Sequence, residues 1–142
     1  MIGNSKRMQI DLSPLERAIA RLDEGLARHL REPLDEQLRD GLIQRFEFTY
    51  DLAPKILRHA LQERADSPGD IDLMSFPTLI RTGWEQGLLK GGWPAWHGFR
   101  DTRNATSHIY DEAKAIEAVT KIPAFLEEVQ HLVQQLKQRL AQ

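Results

Sequence analysis

Cysteine is missing from this 142-residue chain. Its absence excludes disulfides, thiol nucleophiles and cysteine-ligated zinc, and it is compatible with a reducing cytosol, so the cytoplasm is the expected location. Long apolar runs are missing too. No window approaches the roughly 18 apolar residues of a membrane span, and Met1 to Ile10 holds no apolar core of signal-peptide length, so no membrane partner is expected. Charge of one sign is scarce: the formal net charge is −2. Bulk charge therefore points to neither nucleic acid nor a membrane surface, and any RNA contact has to come from a local patch. There is no glycine-rich phosphate loop, because Gly91-Gly92 lacks a following Lys-Ser or Lys-Thr. No set of His, Asp and Glu has metal-ligand spacing, so neither a metal nor a cofactor is expected. Internal repeats, low-complexity segments and the period-two alternation of strands are also lacking, so no sheet is assigned.

What is present reads as helix. With 41% hydrophobic and 28% charged residues the chain has globular composition rather than that of a disordered tail, and its length suits one domain over residues 1–142 with a real core. Ser13-Pro14 combines a capping hydroxyl with proline at the first helical position, and Leu15, Ile19, Leu22, Leu26 and Leu30 follow at helical spacing until Pro33. Asp35 can cap a second helix from about Glu36 to Arg64. Leu38, Leu42, Phe46, Tyr50, Ala53, Leu57 and Leu61 form its main stripe, while Ile43, Phe48, Leu52 and Ile56 add a second face. A helix apolar on two faces belongs in the middle of a bundle. Pro54 inside it removes one backbone hydrogen bond and predicts a kink, the alternative being a break into two helices. Residues 65–75 read as a loop. Pro77 opens a short helix ending at Gly87, Trp93 to about Ser107 forms another, and Asp111 caps a run to Ile122, where Pro123 either starts a new helix or bends a long one. Phe125, Leu126, Val129, Leu132, Val133, Leu136 and Leu140 supply the last stripe. The expected fold class is all-α: an antiparallel four- to five-helix bundle around a long, proline-kinked central helix.

Chemistry concentrates in Arg103-Asn104-Ala105-Thr106-Ser107-His108-Ile109-Tyr110. A cation, an amide, two hydroxyls, an imidazole and a phenol within eight residues are uneconomical for a core and natural for a site that binds phosphate and moves a proton. Asn104 and His108 are four apart and share a helix face. Arg103 and His108 are five apart and point about 140° from each other in an ideal helix. They cooperate if the helix ends near Ser107, if Arg103 reaches around it, or if two copies face each other across a two-fold axis. Thr106 and Ser107 read as helix-end hydroxyls rather than nucleophiles. His29, His59, His97 and His131 show no partner pattern beyond a plain i,i+4 pair of His59 with Glu63, and read as solvated. Trp84, Trp93 and Trp96 read as core or interface anchors.

The segment resembles a known family. Arg103, His108 and Tyr110 match the arginine, four residues, histidine, any residue, tyrosine motif of HepT-type HEPN proteins, also called nucleotidyltransferase substrate-binding proteins. The wider likeness runs through Gln44-Arg45-Phe46-Glu47-Phe48-Thr49-Tyr50-Asp51-Leu52-Ala53, then Gly87-Leu88-Leu89, Trp96, Arg103-Asn104, Thr106-Ser107-His108 and Tyr110, and covers roughly residues 12–140. Pro54 stands where the family usually has tryptophan, and Asp51 where it commonly has glutamate.

The resemblance implies helical bundles that commonly dimerise with their motifs facing, and metal-independent ribonuclease activity in active members. It further implies a toxin paired with a small nucleotidyltransferase antitoxin, which adenylylates the tyrosine. On this reading Arg103, Asn104 and His108 are the catalytic residues and Tyr110 the modified one; the partners are RNA, the nucleotidyltransferase and a second copy of the chain. The residue chemistry agrees. RNA carries its own nucleophile in the 2′-hydroxyl, a histidine moves the proton, an arginine stabilises the phosphorane, and Asn104 can orient phosphate or imidazole. Two other readings compete: a nucleotide- or partner-binding subunit that does not cut RNA, and a dimerisation domain whose polar cluster is structural.

Overall fold

The computed structural model describes residues 10–140. Among these described residues six α-helices follow one another: α1 (Ser13–Arg31), α2 (Glu36–Arg64), α3 (Pro68–Asp72), α4 (Phe76–Glu85), α5 (Trp93–Ala105) and α6 (Glu112–Leu140). A 3₁₀ turn, Thr106–His108, joins α5 to α6, and no strand occurs among the described residues. The central helix α2 packs against α1, α6, α3, α4 and α5.

Helix starts follow local chemistry. The Asp35 carboxylate accepts from Leu38 N at 3.0 Å, as its position predicts. At α1 the cap differs from expectation: the Ser13 hydroxyl does not cap, and Asp11 Oδ1 accepts from Ser13 N at 2.9 Å instead. The first amide of the helix is met from two residues upstream, so Ser13 already lies inside it. Residues 65–75, expected as a loop, contain the five-residue α3, which starts at Pro68, where a missing N–H costs nothing. Gly87 closes α4 at φ +78, with Leu88 N donating to Gly83 O and Gly87 N to Trp84 O, a Schellman turn.

Both internal prolines are absorbed. α2 continues through Pro54 and α6 through Pro123, so neither breaks its helix. Each lies in a 29-residue helix whose buried residues continue on both sides, and tertiary packing there outweighs one missing bond.

The core joins α2, α5 and α6 through aromatic rings. Phe125 meets Phe46 edge-on at 5.0 Å and Phe99 at 5.3 Å, and Trp96 lies 5.4 Å from Phe99. The main stripe of α2 is buried from Leu42 to Leu61. Leu30 and Phe48 depart from their stripes and are exposed. His29, read as solvated, is buried, and its Nδ1 has no partner among the described residues.

The start of α5 is held by a carboxylate from α6. Buried Glu128 accepts from Lys90 N through Oε2 and from Gly91 N through Oε1, both at 2.7 Å. A Cβ on Gly91 would lie 2.8 Å from that of Ala95, so only glycine fits beside the clasp.

Candidate active site at the end of α5

Arg103 lies in the last turn of α5 and turns toward α2. Its Nε donates to Asp51 Oδ1 and its Nη2 to Asp51 Oδ2, each at 3.1 Å; its Nη1 donates to Glu47 Oε2 at 2.9 Å and to Thr106 Oγ1 at 3.2 Å. Glu47 and Asp51 are one turn apart on α2, so one guanidinium spans both. The bonds that Arg103 donates to Asp51 are the main cause that raises its pKa above an already high value, which keeps it cationic. Four of its five N–H groups are thereby engaged, and one, on Nη2, is left. Arg103 therefore offers a phosphate a single bond rather than a two-pronged grip.

Beyond Ala105 the helix tightens into the 3₁₀ turn. Thr106 Oγ1 lies 2.6 Å from Arg103 O and 2.7 Å from Glu47 Oε2, and Ser107 Oγ donates to Asn104 O at 2.8 Å, so both act as helix-end hydroxyls. Asn104 and His108 are exposed. His108 Nδ1 lies 3.3 Å from the Tyr110 hydroxyl, their rings near perpendicular with centroids 5.9 Å apart. Tyr110 is 84% exposed, on the connection just before Asp111, whose Oδ1 caps α6 through Ala113 N and Lys114 N. It is not packed on the bundle.

The site thus separates into two halves. Arg103 is brought to Glu47, Asp51 and Thr106; His108 is brought to Tyr110. A 3₁₀ turn advances about 120° per residue against about 100° in an α-helix, so the tightening widens the ideal angle between Arg103 and His108 rather than closing it. The partners Glu47 and Asp51 were not picked out as site residues from sequence. Both lie in the Gln44 to Ala53 stretch that carries the family likeness, but helical spacing gives no pointer to their role: Glu47 has no basic residue three or four positions away on either side.

Tyr50, on the buried side of α2 beside Asp51, contrasts with Tyr110. Burial pushes its pKa up to about 12. No group of three or more His, Asp or Glu side chains placed to hold a metal occurs among the described residues, and no helix among them is long and apolar enough to cross a membrane.

Comparison with known proteins agrees with this architecture. Residues 10–138 match the family described as nucleotidyltransferase substrate binding protein like. A Haemophilus influenzae protein named probable ribonuclease HepT is 39% identical over 106 residues, 75% of this chain and 72% of that protein. A solved Haemophilus influenzae structure, described as revealing the fold of a substrate binding domain of a nucleotidyltransferase, superposes with a TM-score of 0.84 at 31% identity, covering 89% of this chain and 99% of that one. The helical bundle, the Arg103 to Tyr110 segment and these likenesses together place the chain in the nucleotidyltransferase substrate-binding, HepT-type HEPN family.

Proposed function

We propose that this protein is a metal-independent endoribonuclease, the toxin of a toxin–antitoxin pair, in which His108 moves the proton, Arg103 stabilises charge on phosphate and Asn104 orients the reacting groups. The observation that supports it most is the exposed His108 imidazole, whose Nδ1 is engaged by Tyr110 while Nε2 stays open to a substrate. When Nδ1 carries the proton and donates it to the Tyr110 oxygen, Nε2 is a free base. It then removes the proton of a ribose 2′-hydroxyl. The 2′-oxygen bonds to phosphorus, the bond to the 5′-oxygen breaks, and a protonated imidazole supplies the departing oxygen with a proton. The products are a 2′,3′-cyclic phosphate and a 5′-hydroxyl.

Arg103 and His108 face apart within one chain, so the proposed catalytic unit is a homodimer whose facing segments line one cleft. A cognate nucleotidyltransferase is the proposed antitoxin, acting on Tyr110. The curated relative's ribonuclease name is consistent with the reaction. The test is RNA cleavage by purified protein in EDTA. Activity that persists in EDTA, leaves cyclic phosphate ends and falls about 10²-fold or more in His108→Ala and in Arg103→Ala supports the reading. Full activity in His108→Ala, or an absolute need for magnesium, sinks it.

One observation favours a second reading, a non-catalytic nucleotide- or substrate-binding subunit of a nucleotidyltransferase complex: Glu47 and Asp51 hold most of the Arg103 donors. Unchanged RNA after incubation with dimeric protein, together with stable binding of the nucleotidyltransferase, would select it.

A further inference from the structure

A cleft of about 680 Å³ opens on the α2 face that runs on from Asp51. Its floor is apolar: Tyr50, Pro54, Phe76 and Leu79. Its walls carry Lys55, Arg58 and Arg100. None of these three cations forms an ion pair among the described residues. Arg58 donates to the backbone oxygens of Ile71, Asp72 and Met74, which uses three of its five N–H groups and leaves its charge uncancelled. Arg100 lies over the Trp93 ring, 5.0 Å from its centre, and Lys55 is exposed. Of the two carboxylates lining the cleft, Asp51 spends both oxygens on Arg103, and Asp72 alone opposes the three cations. In a chain of net charge −2 this is a local cationic cleft.

The cleft leads to the candidate active site. Arg100 stands one turn before Arg103, about 5 Å along α5, and Asp51 belongs to both places. An apolar floor under cationic walls matches a nucleotide, whose base and sugar present flat faces while its phosphate seeks positive charge. We infer that this cleft is the site at which a single-stranded RNA segment docks next to the scissile phosphate, with Lys55 and Arg100 neutralising its backbone and Pro54 leaving the floor open. This rests on the ribonuclease reading above and adds where the strand lies. A phosphate on a free nucleotide has the same local chemistry, so the test must separate the two.

The experiment uses the full chain carrying His108→Ala, so that RNA survives, and a fluorescein-labelled single-stranded RNA of about twelve nucleotides read by anisotropy. Lys55→Gln with Arg100→Gln is expected to raise the Kd about tenfold and to flatten the slope of log K against log salt by roughly 1.4, two phosphate contacts at about 0.7 each. Pro54→Trp fills the cleft without changing charge and returns a helical N–H; it is expected to weaken binding with no loss in Tm. Lys137→Gln, whose ion pair with Glu16 joins α6 to α1, should bind as the parent does. Parent-like affinity in the double variant, equal weakening by Lys137→Gln, no RNA binding by the parent, or AMP binding as tightly as the oligonucleotide would each overturn the assignment. Cleavage is measured separately. RNA bound through the cleft but never cut removes the ribonuclease reading and leaves the docking site. RNA cut with an unchanged KM in the double variant does the opposite.

Discussion

The Arg103 guanidinium and the Asp51 carboxylate meet two atoms to two, each contact 3.1 Å long, on the side of the bundle that bears the candidate site. Both groups are partly exposed, so the pair adds only about 0.5–1 kcal/mol to stability. Its larger effect is to fix where the one remaining N–H of Arg103 sits. Asp51→Asn combined with Glu47→Gln should lower cleavage by about tenfold through lost positioning while Tm moves by a few degrees at most. Parallel measurements of kcat and thermal melting check this, and a rate that tracks the melting alone would refute it.

Tyr110 is the expected target of adenylylation. Its phenolic oxygen attacks the α-phosphorus of ATP, pyrophosphate leaves, and an AMP ester results. Because Arg103 is already held by α2, the added phosphate comes to rest against His108, the neighbour of the Tyr110 oxygen, and obstructs Nε2 by bulk. Intact-mass measurement after incubation with ATP, magnesium and the neighbouring nucleotidyltransferase should show AMP units that vanish in Tyr110→Phe and persist in Tyr50→Phe. Full modification of Tyr110→Phe, or undiminished RNA cutting by modified protein, would rule the mechanism out.

Tyr50 links stability to alkaline pH. Its folded pKa of about 12 lies above the roughly 10 of an unfolded tyrosine, so the folded state holds the proton more tightly. That contribution is complete below about pH 10 and is lost as pH climbs through about 12, amounting to about 3 kcal/mol at most. Denaturation midpoints of wild type and Tyr50→Phe between pH 9 and about 12 should therefore show a steeper alkaline decline in the wild type. Parallel curves would mean that Tyr50 does not supply it.

Pro54 withholds a backbone donor from the Tyr50 carbonyl in the middle of α2. Pro54→Ala restores that bond and should stabilise the fold by about 1–3 kcal/mol. A rise in urea midpoint with unchanged m checks it; a fall would show that packing around the proline ring outweighs the recovered bond.

The frame of the bundle was legible in the sequence where local chemistry decides it. The α2 limits, Glu36 and Arg64, follow from Asp35 and an uninterrupted apolar stripe, and the exposed Tyr110 follows from the short gap before Asp111. Less was legible where distant elements decide. The burial of His29 depends on neighbours across the bundle, and the exposure of Phe48 on which of two apolar faces α6 and α1 leave uncovered. Arg103 could be singled out as chemically notable, but its bonds to Glu47 and Asp51 span more than fifty residues, beyond the reach of any helical spacing.

The Glu128 clasp on Gly91 has a bearing on which sequence changes the family can tolerate. α5 is tied to α6 just ahead of its first turn, at Lys90 and Gly91, and to α2 in its last turn, and it runs thirteen residues from Trp93 to Ala105 inclusive. Each residue added to or removed from an α-helix rotates everything beyond it by about 100°. A one-residue insertion between these two ties would carry Arg103 off the α2 acids while leaving the composition almost untouched. Point substitutions on the solvent side, at Gly98 or Asp101 for example, keep the phase. α5 therefore behaves as a fixed-length ruler: drift in its lettering is tolerated, drift in its length is not. Any chain that shares this site should keep the same count of residues from the Gly91 turn to Arg103.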